Sequence, residues 1–320
     1  MSIVTKMRDF VGPYRLARLV RAGHSCFVWE AVKDETGERF ALKMLKPDFV
    51  DDKEAVGYLR HEWEVAKGMK HPHVIRFYDF RTQDYAPFLV LELFNALNLK
   101  QVLREGPEPL AYLVDKIVQQ TAKGLHYMHE RGWVHCDVKP DNLLVNDEGE
   151  VKLIDFTIAQ RSKRTLKSLL GFKEPVRGTR SYMSPEQIRG ETLDRRSDVY
   201  GLGCVIFELL SGRPPFTGSS PNELLEKHLR ASIPSVVVYN NNVTRECADL
   251  LRRMMSKRRE NRPESMWEML QEFRGLHVFS KKPKPPKVKL SELNVGPVTD
   301  VESLKQLPKA GEQDTPEDEG

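Results

Sequence analysis

The stretch His135-Cys136-Asp137-Val138-Lys139-Pro140-Asp141-Asn142 places a carboxylate, a lysine two residues on and a carboxamide five residues on within one short segment. Ahead of it, from Leu110, apolar residues recur at helical spacing. Leu113, Ile117, Leu125 and Met128 fall on or near one face, and Gly132 is placed to end the helix. Behind it, the apolar run Val151 to Ile154 reads as a strand that delivers a second carboxylate in Asp155-Phe156-Thr157.

Further upstream, the first hundred residues alternate in the manner of strands. Tyr14 to Val20, Phe27 to Lys33, Arg39 to Leu45, Val74 to Arg81 and Phe88 to Leu93 are short runs rich in apolar, β-branched or aromatic residues, broken by turn signals such as Glu35-Thr36-Gly37. One helix interrupts them, around Asp52 to Met69. This pattern predicts a small antiparallel sheet with a helix. The second half is mainly helical. Val199 to Leu210 is apolar nearly all round, stops at Ser211-Gly212 and is followed by Pro214-Pro215, as expected of a helix at the centre of a domain. Later helices are expected over Asn222 to Arg230, Arg245 to Met255 and Glu264 to Phe273.

Composition narrows the classes. With 320 residues, 40% of them apolar and 30% charged, the chain suits one large globular unit or two lobes sharing a cleft. A formal charge of +4, with basic residues spread among acids, argues against nucleic-acid binding. Cys26, Cys136, Cys204 and Cys247 are widely spaced with no C-x-x-C pair, which suits free thiols in a reducing, cytoplasmic setting rather than zinc or disulfides. No apolar stretch follows the charges Lys6, Arg8 and Asp9, and the most apolar run is shorter than the roughly 20 residues a membrane span needs, so neither a secretory signal nor a span is expected. His71, His73, His126 and His129 lack further ligands arranged with them and read as packing and capping residues.

The ordered polar residues resemble the protein kinase superfamily, in its eukaryotic-like Ser/Thr branch. The segment around Asp137 matches the catalytic-loop pattern H-R-D-x-K-x-x-N, and Asp155-Phe156-Thr157 stands where the family has D-F-G. Upstream, the hairpin Val20 to Val28, then Ala41-Leu42-Lys43 on a strand and Glu62 on the first helix, resemble the N-terminal lobe. Downstream, Gly178-Thr179 and Ser184-Pro185-Glu186 resemble the end of an activation segment, and Pro215-Phe216-Thr217-Gly218 to Leu229 looks like the matching region of bacterial Ser/Thr kinases.

The resemblance implies an α+β, bilobal fold: a leader over 1–13, a kinase domain over 14–276 with an N-lobe of about 14–93 and a C-lobe of about 94–276, and a tail over 277–320. The tail is rich in Lys and Pro at first and acidic from Glu312 to Glu319, with too few large apolar residues to fold alone. The implied activity is ATP-dependent phosphorylation of Ser or Thr hydroxyls on protein substrates, with Mg2+, or Mn2+, as the metal. By the same resemblance Asp137 takes the hydroxyl proton, Lys139 offsets charge on the transferred group, Lys43 pairs with the α- and β-phosphates and Glu62 orients Lys43. Asn142 and Asp155 hold the metal. Val20, Gly23, Val28 and Ala41 border the nucleotide, and the hinge from Glu92 to Phe94, after the gatekeeper Leu91, offers backbone groups to adenine. Two further roles follow: Glu186 pairs with Arg262 in Asn261-Arg262-Pro263, and Asp198 braces the catalytic loop.

The chain departs from the pattern in four places. Arg21 and Cys26 replace the outer two glycines of G-x-G-x-x-G, leaving Gly23, so the backbone is expected to approach phosphates less closely. Thr157 replaces the D-F-G glycine, which narrows the backbone freedom of that segment. Cys136 replaces the arginine that grips a phosphorylated loop, so activity is expected not to require phosphorylation of Thr165 or Ser168 acting through it. Cys136 reads as an inert buried thiol or a redox sensor. The segment carrying Arg161, Lys163, Arg164, Lys167, Lys173 and Arg177 against Glu174 is basic, and either a solvated loop or a site for an acidic substrate. Two other functions fit parts of the sequence: a pseudokinase scaffold that has lost the chemistry, and a small-molecule phosphotransferase. The latter would lack the framework of Gly178-Thr179, Ser184-Pro185-Glu186 and Arg262.

Overall fold

The computed structural model describes residues 10–82, 86–162 and 180–293. Thr165, Ser168, Gly178-Thr179, the basic positions from Lys163 to Arg177, residues 1–9 of the leader and the acidic end lie outside the described residues.

The N-terminal part is a six-stranded antiparallel sheet in the order β1-β2-β3-β4-β6-β5, built from β1 (Phe10–Val11), β2 (Tyr14–Ala22), β3 (Cys26–Lys33), β4 (Arg39–Leu45), β5 (Phe77–Arg81) and β6 (Phe88–Glu92). Its alternation decides which side chains reach the cleft. On β4, Leu42 joins Val11, Tyr14, Ala31, Phe88 and Val90 in a small cluster on one face, whereas Ala41 and Leu45 belong to the main core on the other. Lys43 shares the second face by its period-2 position.

Helix α1 (Lys53–Ala66) packs beneath that face. Asp52 caps it, accepting the amides of Glu54 and Ala55 at 2.8 and 3.3 Å. Its buried residues are Ala55, Leu59, Glu62, Val65 and Ala66, so helical spacing carries Glu62 inward on an otherwise apolar stripe.

The larger part holds α2 (Leu99–Leu103), α3 (Glu108–Ala111), α4 (Val114–Glu130), α5 (Pro185–Ile188), α6 (Arg195–Ser211), α7 (Pro221–Arg230), α8 (Arg245–Met254) and α9 (Met266–Arg274). Short strands β7 (Leu97–Asn98), β9 (Leu143–Val145) and β10 (Val151–Leu153) form a three-stranded sheet under the cleft, and β8 (Trp133–Val134) pairs with β11 (Gln160–Arg161). Gly132 and Gly212, both at φ 74°, follow α4 and α6. The central helix α6 starts four residues before the apolar run. Asp194 caps it, and Asp198 therefore lies in its first turn. Among the described residues no helix is long and apolar enough to cross a membrane.

The fold continues past the expected end of the domain. Val278 and Leu290 are buried, Phe279 forms a β-bridge with Val243, and the amides of Ser280 and Lys281 donate to the Asn242 carbonyl and side chain, each at 2.8 Å. The Ser291 hydroxyl donates to Asp147 at 2.5 Å. Two apolar anchors and hydrogen bonds to neighbouring loops hold this stretch, which composition alone reads as unable to fold by itself.

Candidate active site

A cleft of about 460 Å³ opens between the sheet and the helical part. Val20, Gly23, Val28, Ala41, Lys43, Glu62, Leu91, Glu92, Phe94, Asp137, Lys139 and Asp155 all line it. Asn142 lies directly behind, bonded to Asp137. The sequence-predicted residues are thus brought to one place.

On the sheet side, Lys43 Nζ donates to Glu62 Oε2 at 2.6 Å and lies 3.5 Å from Asp155 Oδ1. Burial works against the ammonium charge, but the Asp155 and Glu62 carboxylates outweigh it and raise the Lys43 pKa well above its ordinary value. Glu62 Oε1 also accepts the amide of Phe156 at 3.3 Å, which ties α1 to the segment that begins at Asp155. Burial pushes the Asp155 carboxyl upward; Lys43, a hydrogen bond from Thr157, Lys139 and Arg21 pull it far below the usual carboxylate range.

Opposite, Lys139 Nζ donates to Asp137 Oδ2 at 2.6 Å, and Asn142 Nδ2 donates to the Asp137 carbonyl at 2.9 Å and to Oδ2 at 3.0 Å. The amide thereby turns its nitrogen to Asp137, and its Oδ1 is buried without a hydrogen-bond partner. An orphaned carbonyl oxygen in a site with a strongly ionised carboxylate fits a hard divalent cation such as magnesium. Among the described residues no cluster of three or more His, Cys, Asp and Glu is placed to hold a metal by itself, and magnesium commonly completes its shell with waters and substrate phosphate oxygens.

The loop that presents Asp137 is held in an uncommon backbone state. Cys136 and Asp155 both have φ 67°, the left-handed region that disfavours a side chain, and they are the non-glycine residues with positive φ among the described residues. Asp198 fixes the first of them, accepting the amides of His135 and Cys136 at 2.8 and 2.9 Å. The Cys136 carbonyl accepts Gln187 Nε2 at 2.7 Å. Asp198 also accepts from His129 Nε2 at 2.7 Å, and despite burial this bond keeps its carboxyl below the usual range. Nearby, Arg262 donates to both oxygens of Glu186 at 2.7 and 2.8 Å, as expected.

Several contacts escape sequence reasoning. His129, read from the sequence as a packing and capping residue, donates to Asp198, which braces the loop that carries Asp137. Gln187 closes a capping box with Ser184, a pattern readable as S-x-x-Q, and then reaches the loop. Thr157 Oγ1 donates to Asp155 Oδ1 at 2.5 Å. Gly23 has a packing reason: a Cβ there would sit 3.2 Å from the Cys26 carbonyl, which accepts the Gly23 amide. Cys136 is buried, and burial followed by the Asp198 charge raises its thiol pKa well above normal, which favours the inert reading over the redox one.

Residues 14–273 match the family described as the protein kinase domain, and the chain belongs to that family. It is 32% identical over 260 residues to the serine/threonine-protein kinase PrkC of Bacillus subtilis, covering 81% of this chain and 39% of that protein. With PknA of Mycobacterium tuberculosis, also a serine/threonine-protein kinase, the identity is 36% over 229 residues, 70% of this chain and 52% of the relative. A probable serine/threonine-protein kinase of Streptomyces coelicolor, SCO3848, matches at 32% over 267 residues, 82% and 39% of the two chains. The chain therefore spans about two fifths to one half of the length of these relatives.

Proposed function

We propose that the chain is an active protein serine/threonine kinase that uses a magnesium nucleotide. The observation that carries the reading is the Asn142 carboxamide, whose nitrogen is spent on Asp137 while its buried Oδ1 has no partner. In a pseudokinase scaffold nothing requires a buried carbonyl left open beside an ionised Asp155.

In this reading Asp137 receives the proton of a substrate Ser or Thr hydroxyl as its oxygen attacks the terminal phosphorus of ATP, and ADP leaves. Lys139, already on the Asp137 carboxylate, offsets charge on the transferred group, and Lys43 donates to the α- and β-phosphates while Glu62 keeps it aimed. Asn142 and Asp155 would hold the metal, whose charge screens the phosphates. The Glu92 side chain is taken up by Lys152 at 2.7 Å, so an adenine contact at the hinge falls to the backbone there and at Phe94. Val20, Val28 and Ala41 supply the apolar walls for the base. The lysine two residues after Asp137 supports Ser/Thr specificity, and the buried Glu186–Arg262 framework supports a protein substrate over a small molecule. Free cysteines suit the cytoplasmic setting proposed for this domain.

The test uses ATP labelled at the γ-phosphate, magnesium and a generic basic protein, beside Asp137→Asn, followed by phosphoamino-acid identification. Label on Ser or Thr that vanishes in the variant is the expected result. Nucleotide binding without any label, under magnesium or manganese, would instead establish the scaffold reading.

A further inference from the structure

We propose that Arg21, standing where the family has the first glycine of its phosphate loop, is itself a phosphate-binding residue: its guanidinium donates to the polyphosphate of the bound nucleotide. The inference rests on the reading of the cleft as a nucleotide site.

The strand geometry is the first ground. Val20 and Arg21 are consecutive residues of β2, and a regular strand sends consecutive side chains to opposite faces. Both nevertheless line the cleft. The register of β2 against β3 explains how, because it is regular from Arg21↔Val28 to Ala22↔Phe27 but shifts between Leu19 and Arg21. An irregularity of this kind re-aims one side chain and is a recurrent device beside active sites.

Hydrogen bonding is the second ground. Arg21 Nε is buried and makes no hydrogen bond to any described residue. A guanidinium donor withdrawn from water without an acceptor is costly to maintain and calls for a partner that the described residues do not supply. The other cations that line the cleft are differently placed: Lys43 is engaged by Glu62 and Asp155, and Lys139 by Asp137.

Position and shape agree. Arg21 stands in register with Val28, and Val28 with Lys43, which sets Arg21 level with Lys43 across the sheet, at the phosphate end of the cleft and not at the hinge. A side chain at a loop-glycine position keeps the backbone away from a phosphate, and a planar fork of N–H donors is the side chain best matched to phosphate oxygens across that gap. The substitution thus exchanges backbone amides for a guanidinium, and the weaker nucleotide binding expected from the missing glycines is offset.

Titration calorimetry of the full chain with Mg-ATP and with adenosine decides the matter, using wild type, Arg21→Gly and Arg21→Lys, each checked for an unchanged melting curve. The expected result is a loss of about tenfold or more in Mg-ATP affinity for Arg21→Gly, partial recovery in Arg21→Lys, and the same adenosine affinity in all three. Arg21→Gly that restores the family glycine and binds Mg-ATP as tightly as wild type, or tighter, overturns the proposal while leaving the nucleotide site intact. A loss equal for adenosine and Mg-ATP also overturns it, since Arg21 would then shape the loop only. Wild type that binds neither ligand removes the nucleotide reading itself, and this inference with it.

Discussion

The hydroxyl of Thr157 donates to the carboxylate of Asp155 across 2.5 Å, on the oxygen that also faces Lys43 at 3.5 Å. A glycine at this position could make no such bond, so the departure from D-F-G adds a fixed donor behind a proposed metal ligand. Outer contacts of this kind orient ligands and hold them ionised. Thr157→Val is expected to weaken magnesium-dependent nucleotide binding by roughly tenfold, with Thr157→Ser close to wild type. The measurement is a magnesium titration at fixed nucleotide. Equal or tighter binding by the valine variant would show that the hydroxyl competes with the metal for Asp155 instead of supporting it.

Much of this site was legible in the sequence because its ordered motifs resemble those of the protein kinase family, and periodicity is how the fold carries that order into one cleft. Period two on β4 and helical spacing on α1 send Lys43 and Glu62 inward together, and the order of motifs brings Asp137 and Asp155 to them. What was not legible depends on breaks in periodicity or on contacts between distant segments. The register shift that aims Arg21 has no signature in the residues around it, and the reach of Gln187 to the Cys136 carbonyl joins positions 51 residues apart. Likewise, the Lys- and Pro-rich stretch after Leu276 is anchored by partners at Asn242 and Asp147 that composition cannot reveal.

The four thiols should differ in reactivity. Cys136, Cys204 and Cys247 are buried, and burial raises each thiol pKa, to about 12 for Cys247. Cys26 is half-buried, lines the cleft and is also raised by burial, yet remains open to a reagent. Iodoacetamide at mildly alkaline pH is expected to modify Cys26 first, and Mg-ATP to slow that reaction; peptide mass spectrometry over time reads both. Faster labelling at Cys136 would revive a redox role beside Asp137.

The Glu186–Arg262 pair is a stability element. Both side chains are buried, and Arg262 also donates to the carbonyls of Ser256 and Arg196 at 2.8 and 2.9 Å. Removing the cation strands a buried carboxylate and two carbonyls at once. Arg262→Ala is therefore expected to cost roughly 3–5 kcal/mol of unfolding free energy, and Arg262→Lys a good part of it because an ammonium cannot reproduce the fork. Urea titration measures the loss; a variant with an unchanged midpoint would remove the pair from the account of stability.

Stability in mild acid should depend on His228. Its imidazole is fully buried, accepts or donates with the Tyr200 hydroxyl at 2.8 Å, and packs edge-on to Phe216. Burial, with the Lys257 ammonium beside it, lowers its pKa to about 4. The sign follows from linkage: the unfolded chain takes up this proton near the ordinary histidine value of about 6.5, the folded chain only near 4, so stability falls as pH drops between them. The slope approaches about 1.4 kcal/mol per pH unit from this one group. His71, lowered to about 4 by burial, acts the same way but is more exposed. Glu62 and Asp115, raised by burial, act oppositely near the carboxylate range. Comparing wild type with His228→Asn cancels those contributions. Chemical denaturation at pH 6.5 and pH 5 is expected to show a loss in wild type about 1–2 kcal/mol larger than in the variant. Identical losses would mean that His228 takes up its proton without unfolding, through a locally open state of the α7 region.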